Sequence, residues 1–354
     1  MIRILVADDS ATSRALLVAL FAGDAEFSVV GEATNGQQAV EMAQALTPDL
    51  ITMDVQMPVM DGLEATKQIM ARSPRPIIII SSTARDDEIA LSLEATRAGA
   101  LMVLPKPEGP LAPAYAADKR QIISMARALS QVKVVRRHGQ SPASHTFGAS
   151  PMPPSSPRLA GGTVGIRLVA IAASTGGPAA IRTILGELPG SFPAPVLIVQ
   201  HIAHGFTQGL AHWLDADTPL RVKVAEFGEP ADRGTVYVAP DDRHIGCRID
   251  DAGALRIVID NAPTIGAFRP SASYLFRSVA ESLGASALSV ILTGMGDDGV
   301  AGLRVARNAG GRILAQDEAS SVIYGMPREA ARAGVVDAVV GIDAMARKIT
   351  ELVS

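Results

Sequence analysis

The chain has 354 residues, of which 48% are hydrophobic and 19% charged, and a formal net charge of −4. Such a length accommodates two or three domains, the apolar content excludes general disorder, and the acidic balance argues against broad binding to a nucleic-acid phosphate backbone. Its one cysteine, Cys247, excludes an intramolecular disulfide and reads as a small buried apolar side chain.

The first residues, "MIRILVADDS", reach a double aspartate too early for a secretory signal. Runs such as "PIIII" and "LVAIAA" are too short to span a bilayer. A soluble cytoplasmic protein with no direct membrane insertion is therefore expected. Up to Lys106, five β-type runs ("IRILVA", "FSVVGEA", "DLITMD", "PIIIIS", "ALMVLP") alternate with helical patterns. This order predicts a five-stranded parallel sheet of flavodoxin type, covered on both faces. "YAADKRQIISMARALSQVKVVRR" reads as a long closing helix with Ile122, Met125, Ala126 and Leu129 on one face.

Asp8 and Asp9 follow the first strand and Asp54 follows the third. Ligands of doubly wound sheets bind beyond the carboxyl ends of strands. Three carboxylates gathered there repel one another unless a hard cation such as Mg²⁺ lies between them. Ser81 ends the fourth strand and Lys106 follows the fifth, adding a hydroxyl and an ammonium suited to phosphoryl oxygens on an aspartate. Over about residues 1–125, and most specifically in "MDVQMPVMDG", the sequence resembles the receiver domain of two-component response regulators. The resemblance implies that Asp54 is phosphorylated and that Asp8, Asp9, Asp54 and the Gln56 carbonyl hold Mg²⁺. It also implies that Ser81 and Lys106 sense the phosphoryl group, that "PKP" carries a cis bond at the lysine–proline step, and that a histidine kinase donates the phosphate. Val103 stands where many receivers carry an aromatic switch residue.

Pro, Ser and Gly dominate from Arg137 to Gly165, which predicts a flexible linker between a receiver at 1–136 and a second domain at 166–354; His138 and His145 fall in it as solvated residues. Beyond it, α/β alternation resumes, predicting a second doubly wound, mostly parallel domain. Within that domain, "GTVYVAPDDRHIGCRIDDAGALRIVID" predicts an antiparallel edge containing His244. "LVAIAASTGGPAAIRTIL" is strand, glycine turn and helix, so Ser174 stands at the corner either as a nucleophile or as a helix cap. His201 ends the next strand in "APVLIVQHIAHGFT". "HIAH" lacks the rest of a metal site around His204, and His212 reads as a helix-packing residue beside Trp213.

Gly294, Gly296 and Gly299 of "LTGMGDDGVAG" spell a dinucleotide-binding glycine pattern, with Asp317 and Glu318 near the interval of its ribose-binding carboxylate. Asp297 and Asp298 in the same turn would repel a pyrophosphate. A carboxylate beside a histidine instead suits acyl transfer, with the amides of the turn left for an oxyanion.

Together "STGGP", "QHIAHGFT", "VYVAPDDRHI", "RPSASYLF", "ILTGMGDDG" and "AQDEASSVIYGMPREA" resemble the catalytic domain of the chemotaxis protein-glutamate methylesterases. This implies a Ser174–His201–Asp298 triad with the Met295 and Thr175 amides in the oxyanion hole, and no cofactor for the esterase reaction. Its implied substrates are γ-glutamyl methyl esters on the cytoplasmic helices of chemoreceptors, and receptor glutamines by the same route. "QHIAHGFT" carries Ala203-His204 where proline is common in that family. A monomer is expected. The alternative is a receiver joined to a catalytically silent receptor-binding module.

Overall fold

A computed structural model of the chain describes residues 1–82, 86–113, 115–132, 134 and 165–354. Apart from Gly165, the linker expected at 137–165 lies outside the described residues, and so do His138 and His145.

The first half comprises β1 (Ile2–Ala7), α1 (Ala11–Ala22), β2 (Phe27–Ala33), α2 (Gly36–Leu46), β3 (Leu50–Met53), α3 (Gly62–Arg72), β4 (Ile77–Ser81), α4 (Asp86–Arg97), β5 (Met102–Pro105) and α5 (Tyr115–Leu129). Its parallel sheet has the order β2-β1-β3-β4-β5. β3 and β4 are buried along their whole length because helices cover both faces, which is why they read as unbroken apolar runs. Helices start where the sequence offers a cap: Ser10, Asn35 and Asp61 each accept an N–H of the following turn. Register decides the function of this edge. Ala7 pairs with Met53, so Asp8 and Asp54 emerge side by side, and Ser81 pairs with Pro105, so Lys106 emerges beside them. The closing helix is shorter than its sequence pattern suggests. It stops at Leu129, where the β-branched Val132 and Val134 turn from helix to packing against the receiver core.

The second half comprises β6 (Leu168–Ala173), α6 (Gly177–Glu187), β7 (Val196–Gln200), α7 (Thr207–Asp217), β8 (Arg221–Val224), β9 (Thr235–Val238), β10 (His244–Ile249), β11 (Leu255–Asp260), α8 (Ala272–Leu283), β12 (Ala287–Ile291), α9 (Val300–Asn308), β13 (Arg312–Gln316), α10 (Met326–Arg332), β14 (Ala338–Val340) and α11 (Ile342–Val353). Seven parallel strands run in the order β14-β13-β12-β6-β7-β9-β8. The antiparallel pair is present as β10–β11, but it forms a ribbon of its own, while β9 joins the large sheet in parallel.

The two halves touch. α4 of the receiver packs on α6 and α7, and one apolar cluster runs from Ile89 and Leu93 into Phe206, Leu210 and Trp213. Trp213 Nε1 donates to Glu94 at 2.6 Å. Val322 and Ile323 of the second half pack against the receiver cluster of Leu101 and Leu104.

Candidate active site

Three strand ends meet at the carboxyl edge of the large sheet. Ala173 pairs with Gln200, so Ser174 and His201 are the next residues out, and the Ser174 N–H donates to Thr293 just beyond β12 at 3.0 Å. The chain turns sharply into α6 at Gly176, whose φ of +77° and contact with Val322, 2.5 Å from any Cβ placed there, leave room only for glycine. A Cβ at Gly294 would meet Ser174 Cβ at 2.7 Å, so glycine also lets the second turn come in against the serine.

His201 Nε2 lies 3.0 Å from Asp298 Oδ2. Its Nδ1 is buried without a partner among the described residues and its ring stacks on Phe268, with centroids 4.1 Å apart. His201, Ser174, Thr175 and Met295 line one cleft. No hydrogen bond joins Ser174 to His201 among the described residues. Asp298 is buried while Asp297 is exposed. Burial alone would raise the Asp298 carboxyl, but His201 and the donors at the start of α8 outweigh it and hold the carboxyl at about 2. Those donors are Ser271 Oγ (2.9 Å), the Ala272 N–H (2.7 Å) and the Ser273 N–H (3.0 Å).

The N–H groups of Thr175 and Met295 find no acceptor among the described residues and remain available to an oxyanion. Other amides of the glycine turn are spent inside the protein, Gly294 on Ile323 O and Gly299 on Ser273 Oγ, so the turn is no phosphate cradle. Beneath the site, Gln200 Nε2 donates to the carbonyls of both Ser174 and His201, at 2.8 and 2.9 Å. Thr293 Oγ1 donates to Thr175 O at 2.9 Å and accepts the Ile323 N–H at 3.0 Å. Gln200, Phe268, Ser271 and Thr293 are not evident from sequence. Only the helix-capping pattern of Ser271 carries a signal, and nothing local tells which carboxylate the cap holds. His204 forms no metal pair with His201; it meets Asp242 at 3.1 Å on the surface. His212, expected to pack beside Trp213, is instead exposed, because α7 spends its inner face on Leu210, Ala211, Trp213 and Leu214.

At the receiver edge, Lys106 Nζ lies 2.7 Å from Asp54 Oδ2 and 3.0 Å from Asp8 Oδ2, the second contact out of line for a hydrogen bond. Burial raises Asp54 to about 6 because one ammonium does not neutralise two buried carboxylates, and Asp8 is raised for the same reason. Burial would lower the Lys106 ammonium, but Asp54 and Asp8 hold it above its ordinary value. Asp8, Asp9 and Asp54 each bring an oxygen within 4.8 Å of the others, a hard donor set with an unsatisfied oxygen on Asp8 that fits the Mg²⁺ of receiver domains. Ser81 Oγ is fully buried with no partner among the described residues, and Gln56 follows two residues after Asp54, half-buried. The Lys106–Pro107 bond is trans rather than cis, the one cis peptide among the described residues being Arg269–Pro270. Lys106 reaches both carboxylates without it. Val103 is buried in the receiver core.

The cleft over Ser174 has a volume of about 1430 Å³, and its far wall is the receiver: Met70, Met102, Gln121 and Met125 face it. The Leu101 carbonyl accepts the Gly176 N–H at 3.2 Å, two residues from the Ser174 hydroxyl.

Residues 169–349 match the family model described as CheB methylesterase, and residues 4–112 match that of the response regulator receiver domain. A protein-glutamate methylesterase/protein-glutamine glutaminase of Myxococcus xanthus is 51% identical over 99% of this chain and 96% of that protein. The chain belongs to the CheB methylesterase family. A second such relative, from Anaeromyxobacter dehalogenans, is 48% identical over 99% of this chain and 98% of its own length. The crystal structure of the CheB methylesterase catalytic domain of Thermotoga maritima matches with a TM-score of 0.52 and 38% identity, covering 53% of this chain and all of that one. In this CheB-type chain the receiver implies the Mg²⁺-dependent phosphorylation site of its class and a histidine kinase as phosphodonor, and the methylesterase domain implies a chemoreceptor as substrate. Among the described residues, no helix is long and apolar enough to cross a membrane.

Proposed function

We propose that Ser174, His201 and Asp298 hydrolyse glutamate γ-methyl esters on the cytoplasmic helices of chemoreceptors, releasing methanol, and deamidate receptor glutamines by the same acyl-enzyme route. The observation that carries this reading is the His201 imidazole, tethered to buried Asp298 through Nε2 and leaving Nδ1 unpartnered in the cleft with Ser174. Nδ1 takes the serine proton as Oγ attacks the ester carbonyl, and the charge that develops on His201 is met by Asp298. The Thr175 and Met295 amides receive the oxyanion. When the tetrahedral intermediate collapses, His201 returns the proton to the methoxide, and water repeats the sequence on the acyl-serine.

The segments are a receiver at 1–136, a linker at 137–165 and a catalytic domain at 166–354. The reading places the chain in the cytoplasm as a monomer, supported by a single buried thiol and by both sites being complete in one chain. Asp8, Asp9, Asp54 and the Gln56 carbonyl would hold Mg²⁺, whose charge would offset theirs toward an incoming phosphoryl group. Asp54 accepts that group, and Ser81 and Lys106 contact its oxygens. The contact of Leu101 with Gly176 supports gating by the receiver, which covers the cleft until Asp54 is phosphorylated.

The test is methanol release from a methyl-esterified receptor fragment. The wild-type chain, given a small phosphodonor and Mg²⁺, should release methanol, and folded Ser174→Ala should not. Release undiminished in Ser174→Ala overturns the triad.

A further inference from the structure

We infer that Ser271, oriented by the buried imidazole of His244, is a positioning residue that sets how firmly Asp298 holds a proton on His201. The inference rests on the triad reading and deepens it. Asp298 Oδ1 accepts from Ser271 Oγ and the Ser273 N–H, and Oδ2 accepts from the Ala272 N–H and His201 Nε2. Three of these four donors belong to the start of α8, where the helix dipole also favours negative charge. Two of the three are backbone amides, so the Ser271 hydroxyl is the donor that a side-chain replacement removes while leaving the others in place. Its proton is committed to Asp298, because its lone pairs accept the Ser273 and Tyr274 N–H groups at 3.1 and 3.4 Å.

The hydroxyl is aimed from behind. The Ser271 N–H donates to His244 Nδ1 at 3.2 Å, and His244 Nε2 lies 3.1 Å from the Pro263 carbonyl. A carbonyl only accepts, so His244 carries its proton on Nε2 and offers a lone pair on Nδ1: the neutral tautomer is dictated. His244 is fully buried and stacks on Tyr274 with centroids 4.6 Å apart, and the Tyr274 hydroxyl is anchored on Asp260 at 2.8 Å. Asp260 and Tyr274 are thus the titratable groups facing His244. Asp298 is the titratable group in contact with His201, and Arg97 of the receiver, Arg269, Glu318 and Tyr324 line the same cleft.

A donor to a carboxylate spreads its charge and weakens its hold on a neighbouring imidazolium, an effect enlarged by the low dielectric of the interior. Removing the Ser271 hydroxyl concentrates that charge on His201. The imidazole then keeps its proton to higher pH and is a poorer acceptor for Ser174 at neutral pH.

The experiment is kcat/KM against pH for the full chain with a small phosphodonor and Mg²⁺, on a methyl-esterified receptor fragment. In Ser271→Ala the acid limb should move up by roughly half a unit to one unit, which lowers kcat/KM on that limb by about three- to ten-fold. His244→Leu, which orphans the Ser271 N–H, should move the limb the same way. His244→Asn, whose Oδ1 can accept that N–H, should return it toward wild type. If Ser271→Ala does not fold, the two His244 variants decide. An acid limb unmoved in the folded variants, with only the amplitude reduced, overturns the inference. Activity surviving in Ser174→Ala would instead overturn the triad, so the two failures are distinguishable.

Discussion

Neighbouring aspartates in the glycine turn differ in everything that matters to an imidazole. Asp297 points into solvent, whereas Asp298 is buried against α8 with four donors on its two oxygens. Asp298→Asn keeps the size but removes the charge and sets an NH₂ group against donors. Its turnover should fall steeply, by roughly 10⁴-fold on the scale of the equivalent change in a serine-protease triad. Asp297→Asn, an exposed charge screened by salt, should change turnover no more than severalfold. Measured on one methyl ester, a crippled Asp297→Asn beside a normal Asp298→Asn would shift the assignment by one residue. Stability follows the same carboxylate. Its folded value of about 2 lies below the usual 3.8, so its stabilisation is present above about pH 4 and is lost as pH falls toward 2. The Tm gap between wild type and Asp298→Asn should therefore close across that acid window. The sequence carried the carboxylate, the histidine and the serine, because each follows an apolar strand run. It did not carry their supports: Ser271 is 27 positions from Asp298, and only folding brings a helix start to that turn.

At the scale of elements, the docking of α4 on α7 depends on the absence of a side chain. A Cβ at Gly209 would lie 2.2 Å from Ile89 Cγ2, far inside contact distance. Gly209→Ala therefore improves α7 as a helix, by about 1 kcal/mol in intrinsic propensity, while wedging it away from the receiver. The expected result is unphosphorylated esterase activity raised severalfold with the Tm of the catalytic half unchanged or higher. Activity that stays at the wild-type level in Gly209→Ala means that this contact does not hold the cleft shut. Strands and helices were themselves legible, since apolar runs of the length of β4 and β6 have few alternatives between amphipathic segments. The face on which two finished domains meet was not. Ile89, Leu93, Trp213 and Val322 carry the same apolar periodicity as residues that pack within their own domain, and periodicity says only that a face is buried, not against what. The trans Lys106–Pro107 bond, the early end of α5 and the exposed His212 were missed because each turns on tertiary contacts rather than local pattern.

Across the whole molecule, the two candidate sites are joined by one short strand. β5 begins next to Leu101, whose carbonyl takes the Gly176 N–H beside Ser174, and ends at Pro105, next to Lys106 on Asp54, the proposed phosphoacceptor. Val103, in the middle of this strand, is buried and has no aromatic ring to swing, so a signal along this route is expected to travel by movement of β5 itself. If Asp54 drives that movement and docking is what it releases, the two can be separated. Asp54→Asn should keep basal activity and lose all stimulation by a small phosphodonor with Mg²⁺. A fragment of residues 161–354, of the kind whose relative from Thermotoga maritima crystallises as a domain on its own, should exceed the unphosphorylated full chain and ignore the phosphodonor. The decisive case is the double variant. Asp54→Asn combined with Gly209→Ala should show the raised activity of Gly209→Ala alone, without any response to phosphodonor, because the wedge acts downstream of the phosphoryl group. Assayed as methanol release from one receptor fragment, a double variant no more active than Asp54→Asn would mean that phosphorylation acts inside the catalytic edge and that undocking is not its route.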